Sequence, residues 1–455
     1  MFLEEIERAA KIFGSLVKEK IPKIISHHDA DGITSASIMI KSLYRIGCNF
    51  ELRIVKQLTE DEIEKIKIHD ENFLVLLDLG SGQLNFIRDF FEKTQVFVLD
   101  HHEPMRIEHP NLFHLNPLLF GESSSASVVT YIFAKFLSQK NVDTIDLAIV
   151  GALGDEQDER WVLKGLSRNI LREAVDVGKV TVMKGIRLYG RNTRPIHKSL
   201  EFSFDPFIPG ISGSESNAIQ FLSELGIKAR DEEGWRKLSD LTVEEQKKLA
   251  SAIIMERLKW KEEDASDIFG EIYTLIGRTE ELQDAREFAT ILNACGRMGL
   301  YGDAFRICFN ESFSSERSWE ILEAYRKKIG EAVRMIKEGE VKTGGRNVTF
   351  IFGEKKIPDT MIGTITSIVV NSNIVPKDKP VLGMAEFDGK IKISLRIPSG
   401  LGINARDVLV EAVKLLGKGE AGGHAKAAGA LIDKSMESDF VNIIEEIMGE
   451  KIGKS

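Results

Sequence analysis

At 455 residues, with 43% hydrophobic and 29% charged side chains, the chain has material for about three compact globular domains. Its formal net charge of -9 speaks against a surface coated in positive charge for nucleic acid, while leaving room for a local basic track. No apolar run approaches the ~18 residues that span a bilayer. The start, Met1 to Arg8, is acidic and amphipathic rather than a leader, and Cys48, Cys295 and Cys308 are too few for a disulfide framework. A cytoplasmic protein with no membrane part is the expectation.

In chain order, Phe2, Leu3, Ile6, Ala9, Ala10, Phe13 and Leu16 fall at helical spacing, predicting a helix over residues 2–19 that Pro22 ends. A strand at about 23–27 then runs into Ser26-His27-His28-Asp29-Ala30-Asp31-Gly32. From Gly32 onward Ile33, Ala36, Ile38, Met39, Leu43 and Ile46 read as a helix ending at Gly47, which makes 29–32 a strand-to-helix loop. Residues 50–56 alternate like a strand, 59–68 read as a capped helix, and 72–78 form a buried strand ending in Asp78. Residues 84–94 are predicted helical, and 95–102 form a third strand that stops in Asp100, His101 and His102. The serine cluster at 123–127 caps a helix to Leu137. The apolar run 145–153 is read as a further strand, and it leads into Gly154 and Asp155.

Residues 160–340 read as mostly helical, with a break marked by Pro195, Pro206, Pro209, Gly210 and Gly213. Long helices are predicted over 235–260 and 317–337, the second as a connector. A new start follows at 343–345: strand 347–353, helix 359–371, then strands 380–387 and 391–397 about the hairpin signal Asp388-Gly389. A helix over 405–416, a glycine-rich segment 417–424, a strand and a last helix close the chain. The whole is α/β: a parallel-sheet domain over 1–204, a mostly helical middle region over 205–340, and a smaller α/β C-terminal domain over 341–455.

The acids and imidazoles at strand ends are His27, His28, Asp29, Asp31, Asp78, Asp100, His101, His102 and Asp155. In an extended segment side chains two apart share a face, so Asp29 and Asp31 are expected to converge on one point, where a divalent cation would offset their repulsion. A helix-capping Asp with solvated neighbours is the rival reading of that stretch. Mixed carboxylate and imidazole donors suit manganese, with magnesium, zinc and cobalt as rivals, and there are enough donors for two ions. Two cations about 3.5 to 4 Å apart can activate a water and neutralise both oxygens of a phosphoryl displacement. Elsewhere, Lys184, Arg187, Arg191, Arg194 and Lys198 have no acid among them. Spacings of three and four put the first of them on one helical face, a candidate single-strand track with Arg187 and Arg191 at its centre or else a solvated face.

His28-Asp29-Ala30-Asp31-Gly32, Asp78, Asp100-His101-His102 and Gly154-Asp155, in that order, resemble motifs I to IV of the DHH phosphoesterases. Ser394-Leu395-Arg396 and Gly422-Gly423-His424 are similar to motifs of the DHH-associated domain found in RecJ-type exonucleases and in the oligoribonuclease branch. The resemblance covers about residues 20–160 and 345–435. It implies catalysis by Asp29, Asp31, Asp78, His101, His102 and Asp155, with one ion on Asp29, Asp78 and a motif I histidine and a second on Asp31, Asp78, His101 and Asp155. Whether His27 or His28 supplies that imidazole stays open: His27 shares the face of Asp29, and His28 stands nearest the loop. His102 would face the scissile phosphate, Asp100 would orient a histidine, and Ser394, Arg396, Gly422, Gly423 and His424 would hold the substrate phosphate.

The resemblance thus implies a manganese-dependent exonuclease of single-stranded DNA or RNA, of the archaeal RecJ-like kind, with a replication or repair partner such as GINS or a helicase. A nanoRNase or cyclic-dinucleotide phosphodiesterase is the enzyme alternative, and a replisome scaffold the non-enzyme one.

Overall fold

A computed structural model describes residues 1–203, 206–260, 265–309, 315–370, 374–376, 379–398, 401–423 and 425–452. The chain forms two compact units, Met1–Leu322 and Glu323–Ser455. The division falls inside the long helix Ser315–Lys337.

The first unit begins with helix α1 (Phe2–Leu16), strand β1 (Ile21–His27), helix α2 (Ala30–Arg45), strand β2 (Glu51–Val55), the short helix α3 (Glu60–Glu64) and strand β3 (Asn72–Leu77). Then come α4 (Arg88–Phe91), β4 (Val96–Leu99), β5 (Leu112–Leu115), α5 (Ala126–Leu137) and α6 (Ile145–Gly154). The five strands are all parallel and lie in the order β2-β1-β3-β4-β5. This doubly wound order has its switch point between β1 and β3, where chain crossovers leave in opposite directions and open a crevice at the strands' carboxyl ends.

Both faces of the sheet are covered, so all six residues of β3 are buried and read as a continuous apolar run. On one face Phe13 of α1 meets Phe73, Phe97 and Phe133 edge-on at 5.2 to 5.3 Å. On the other, Ile25, Leu74, Leu76, Val96 and Val98 pack with Leu84, Ile87 and Phe91.

The structure departs from the sequence reading at several points. The run 145–153 is a helix, α6, not a strand: its nine residues Ile145 to Leu153 are all buried, and a segment apolar on every side carries no period by which to tell helix from strand. Asp31 and Gly32 belong to the first turn of α2 rather than to a loop. The predicted helices 59–68 and 84–94 shrink to α3 and α4, and 235–260 begins only at Val243, after the Thr242–Glu245 capping box. β5 is an additional strand. In the stretch 160–340 read as mostly helical, Val180–Ile186 pairs antiparallel with Phe269–Leu275, and at its edge Asp158–Glu159 pairs with Val162–Leu163.

The second unit holds a six-stranded sheet in the order Lys342–Gly344, Thr349–Glu354, Val381–Phe387, Lys390–Arg396, Ala427–Asp433, Glu420–Gly423. Asp388 and Gly389 turn the central hairpin with φ of 47° and 74°, the left-handed pair that suits strand twist. Helices Ala405–Leu416 and Glu437–Ile452 supply Val408, Leu409, Phe440 and Ile444 to its core.

Candidate metal centre

The switch point concentrates the ionisable side chains. Asp29, two residues beyond β1, caps α2, one carboxylate oxygen accepting from Gly32 N at 3.0 Å. It is therefore the capping residue of the rival reading and also part of the cluster, because its other oxygen lies 3.1 Å from His27 Nδ1. Gly32 is required here: a Cβ would sit 2.3 Å from the His27 carbonyl oxygen. Asp31, in the first turn of α2, points elsewhere. Its carboxylate accepts from Ala126 N at 2.7 Å and Ser127 N at 3.0 Å, the first amides of α5. The two aspartates thus face different neighbours instead of converging on one point, because a helical turn, unlike an extended chain, separates residues two apart.

Asp78 follows β3 in a left-handed conformation, φ 59°, that a non-glycine residue adopts at a cost. Its carboxylate reaches both sides. One oxygen is 3.2 Å from His27 Nδ1, and the other is 3.3 Å from His101 Nε2. His101 Nε2 also lies 3.3 Å from Asp155 Oδ2 and 3.9 Å from Asp31 Oδ2. Asp155 is the C-cap of α6, held by Gln157 Nε2 at 2.7 Å. Two groups that could each hold a metal ion result, His27-Asp29-Asp78 and Asp31-His101-Asp155, with Asp78 reaching toward both. His28 lies outside both, its ring packed edge-on against His27 at 4.6 Å.

Asp100 organises the adjoining loop. It accepts from Ser81 N, His101 N and His102 N and holds His102 Nδ1 at 2.7 Å, while His102 stays half exposed. A third group, Asp78-Asp100-His101-His102, overlaps the other two.

The electrostatics reflect how closely buried acids and imidazoles are crowded together. Burial, then the neighbouring Asp78 and Asp155, push the Asp31 carboxyl well above the usual range, and burial lifts Asp155 to about 6. Burial would lower His27 and His101, yet the surrounding carboxylates hold both well above the usual imidazole value. Asp78 Oδ1 and His101 Nε2 are buried 3.3 Å apart without a well-aligned hydrogen bond, so the protein leaves donor atoms poorly satisfied at the centre of the cluster. That residue set, carboxylate and imidazole without thiolate, fits a divalent cation in each group.

The other expected residues fall into two sets. In the second unit Arg396 is fixed by Ser394 Oγ at 2.8 Å and Ser367 Oγ at 2.7 Å. Ser394, Gly429 and Gly422 stand in register across three strands, with Gly423 beside Gly422 on the sheet edge. His424 lies outside the described residues. The basic stretch does not form a helical face: Lys184 lies on a strand, and Arg187 in the following turn is 2% exposed and donates to the Asp267 carbonyl at 2.7 Å. Arg191 is half-buried near Asp284, and Lys198 pairs with Glu201 and Glu215. Acids distant in sequence meet these cations, which a local count of charge does not register. Sequence reading also missed Ser81, Gln157 and Asn293, polar residues without a motif around them.

The chain is 31% identical over 470 residues to an uncharacterized protein of Methanocaldococcus jannaschii, 99% of each being covered. Residues 23–153 match the DHH family, N-terminal domain, residues 188–267 the DHH-CID domain and residues 347–450 the DHHA1 domain. The chain belongs to the DHH family. This DHH protein is also 25% identical over 212 residues to the single-stranded-DNA-specific exonuclease RecJ of Thermus thermophilus, a match to 44% of the chain and 31% of that protein. Among solved structures, CDC45 from Entamoeba histolytica superposes with a TM-score of 0.68 at 11% identity, over 98% of this chain and 99% of that one. RecJ in complex with Mn2+ from Thermus thermophilus gives 0.57 at 16% identity, over 98% of this chain and 55% of that one. The RecJ-like DHH fold is shared. Among the described residues no helix is long and apolar enough to cross a membrane.

Proposed function

We propose that this DHH protein is a two-metal phosphodiesterase that removes nucleotides from an end of single-stranded DNA or RNA. The observation that carries the reading is the pair of groups that could each hold a metal ion, with Asp78 reaching toward both and donor atoms left poorly satisfied at their centre. Bound there, two divalent cations, manganese foremost, would supply Lewis acidity to a water and to the phosphoryl oxygens.

The chain's own residues do the rest. His27, Asp29 and Asp78 would hold one ion, and Asp31, Asp78, His101 and Asp155 the other. The amides of Ala126 and Ser127 orient the Asp31 carboxylate, and Gln157 orients Asp155. His102, held by Asp100 with its ring exposed, would donate to a phosphate oxygen. Arg396, fixed by two serine hydroxyls, is a ready anion partner in the second unit. Digestion of strands labelled at either end, DNA and RNA in parallel with Mn2+, tests the activity and reads its direction. Stepwise shortening supports the reading; no cleavage of any length with Mn2+, Mg2+ or Co2+ would end it.

A second role, as a partner of GINS or of a repair helicase, is favoured by the CDC45-like fold along nearly the whole chain. Capture of such proteins from native extract tests it independently of cleavage.

A further inference from the structure

We propose that Asn293 is a positioning residue that sets the separation of the two metal half-sites by tying the end of α6, beside Asp155, to the β1–α2 junction. It sits on the helix Ala285–Met298, which lies outside all three matched family segments. Its Oδ1 accepts from Ala30 N at 3.0 Å, and its Nδ2 donates to Gly154 O at 3.3 Å. The chemistry fixes the amide's orientation, since a backbone N–H only donates and a carbonyl only accepts.

The two contacts fall at telling places. Ala30 is the joint between Asp29, in one half-site, and Asp31, in the other. Gly154 is the residue before Asp155. A single side chain therefore ties the β1–α2 junction to the end of α6, two segments more than a hundred residues apart in sequence.

The rest of the helix is built to bring that amide close. Gly296, one turn further on, allows the approach: a Cβ there would stand 1.8 Å from the His28 carbonyl oxygen. Gly154 likewise has no room for a Cβ, which would meet the Ala30 Cβ at 2.5 Å. At the other end Arg286 pairs with Asp158 at 2.7 Å and lies over the Trp161 ring at 4.4 Å. The helix is thus anchored beyond Asp155 through Arg286 as well as at Ala30 through Asn293 itself. A ligand set whose members come from separate elements needs such a cross-brace, because ion affinity depends on sub-ångström donor placement.

The inference rests on the two-ion reading above. The test is Mn2+ titration of wild type, Asn293→Ala and Asn293→Asp, read by calorimetry and by the electron paramagnetic resonance signature of coupled ions, with thermal unfolding alongside. Wild type should take up two coupled ions. Asn293→Ala should keep one ion within about threefold and bind the other roughly 10- to 100-fold more weakly, the scale for outer partners of metal ligands. Asn293→Asp keeps the acceptor for Ala30 N and removes the donor to Gly154, so it should show the same selective loss even if the alanine variant folds poorly. Two coupled ions at wild-type affinity in both variants would overturn the proposal alone, as would parallel weakening of both ions with a lowered unfolding temperature. Absence of any ion from wild type would overturn the metal-centre reading and the brace together.

Discussion

The two ends of α6 carry aspartates in opposite circumstances, Asp146 buried and Asp155 half-buried. At its start, Asp146 accepts from Arg278 Nη2 at 2.6 Å and Nε at 3.0 Å, and the guanidinium also lies 5.2 Å from the Phe288 ring centre. An acid in the first turn agrees with the helix dipole, and a full cation matches its charge. At the other end, Asp155 stands where the dipole is negative, facing Asp78 and Asp31 across His101. One end is a closed structural pair; the other is charge that the protein declines to neutralise. Burial alone does not separate a structural carboxylate from a functional one. What separates them is whether the fold supplies the counter-charge.

Opposite substitutions should therefore have opposite signatures. Asp155→Ala should cut hydrolysis by roughly 10²- to 10³-fold or more, the scale for removing one group that stabilises transition-state charge. The unfolding midpoint of the metal-free protein should stay level or rise, since a like charge is removed; an active Asp155→Ala would break the comparison. Asp146→Ala leaves Arg278 buried without its carboxylate and should cost about 3–5 kcal/mol of stability, measured by denaturant midpoint, with the Mn2+ affinity of the folded protein unchanged.

A pH titration sharpens the contrast. With Asp155 lifted to about 6, its carboxyl in the metal-free fold binds a proton that the unfolded chain, near 3.8, does not. This group thus stabilises the metal-free fold below about pH 4, and that contribution fades as pH rises through 6. A cation competes with the same proton. Mn2+ affinity should fall at least tenfold per pH unit below 6, since the raised Asp31, His27 and His101 hold protons there as well, with proton release visible as a buffer-dependent binding enthalpy; a flat affinity between pH 5 and 7 would contradict it. The smallest effect is expected from Ser125→Ala, which removes the N-cap of α5 at a cost of about 1 kcal/mol. Asp31 keeps its amide donors from Ala126 and Ser127, so ion binding should not change.

The sequence reading succeeds where local pattern and tertiary role coincide. Buried parallel strands are short apolar runs, and β1, β3 and β4 each stop abruptly at a polar group, so the sheet and most of the acids and imidazoles gathered at its edge are legible. It fails where a third element decides. The run 145–153 has no period to reveal a helix, although Asp155 arrives at the cluster all the same. Asp31 is turned away from Asp29 by the first turn of α2. Arg187 meets Asp267 from 80 residues away, and Asn293 acts through backbone amide and carbonyl, for which no residue type in the ligand segments is diagnostic.

The central claim is that Asp78 is shared between two ions. Counting bound Mn2+ in wild type and in Asp78→Ala, at saturating metal and with folding checked, tests it most directly. The account predicts two ions in wild type and at most one, weakly held, in the variant. Two ions retained in Asp78→Ala would contradict it.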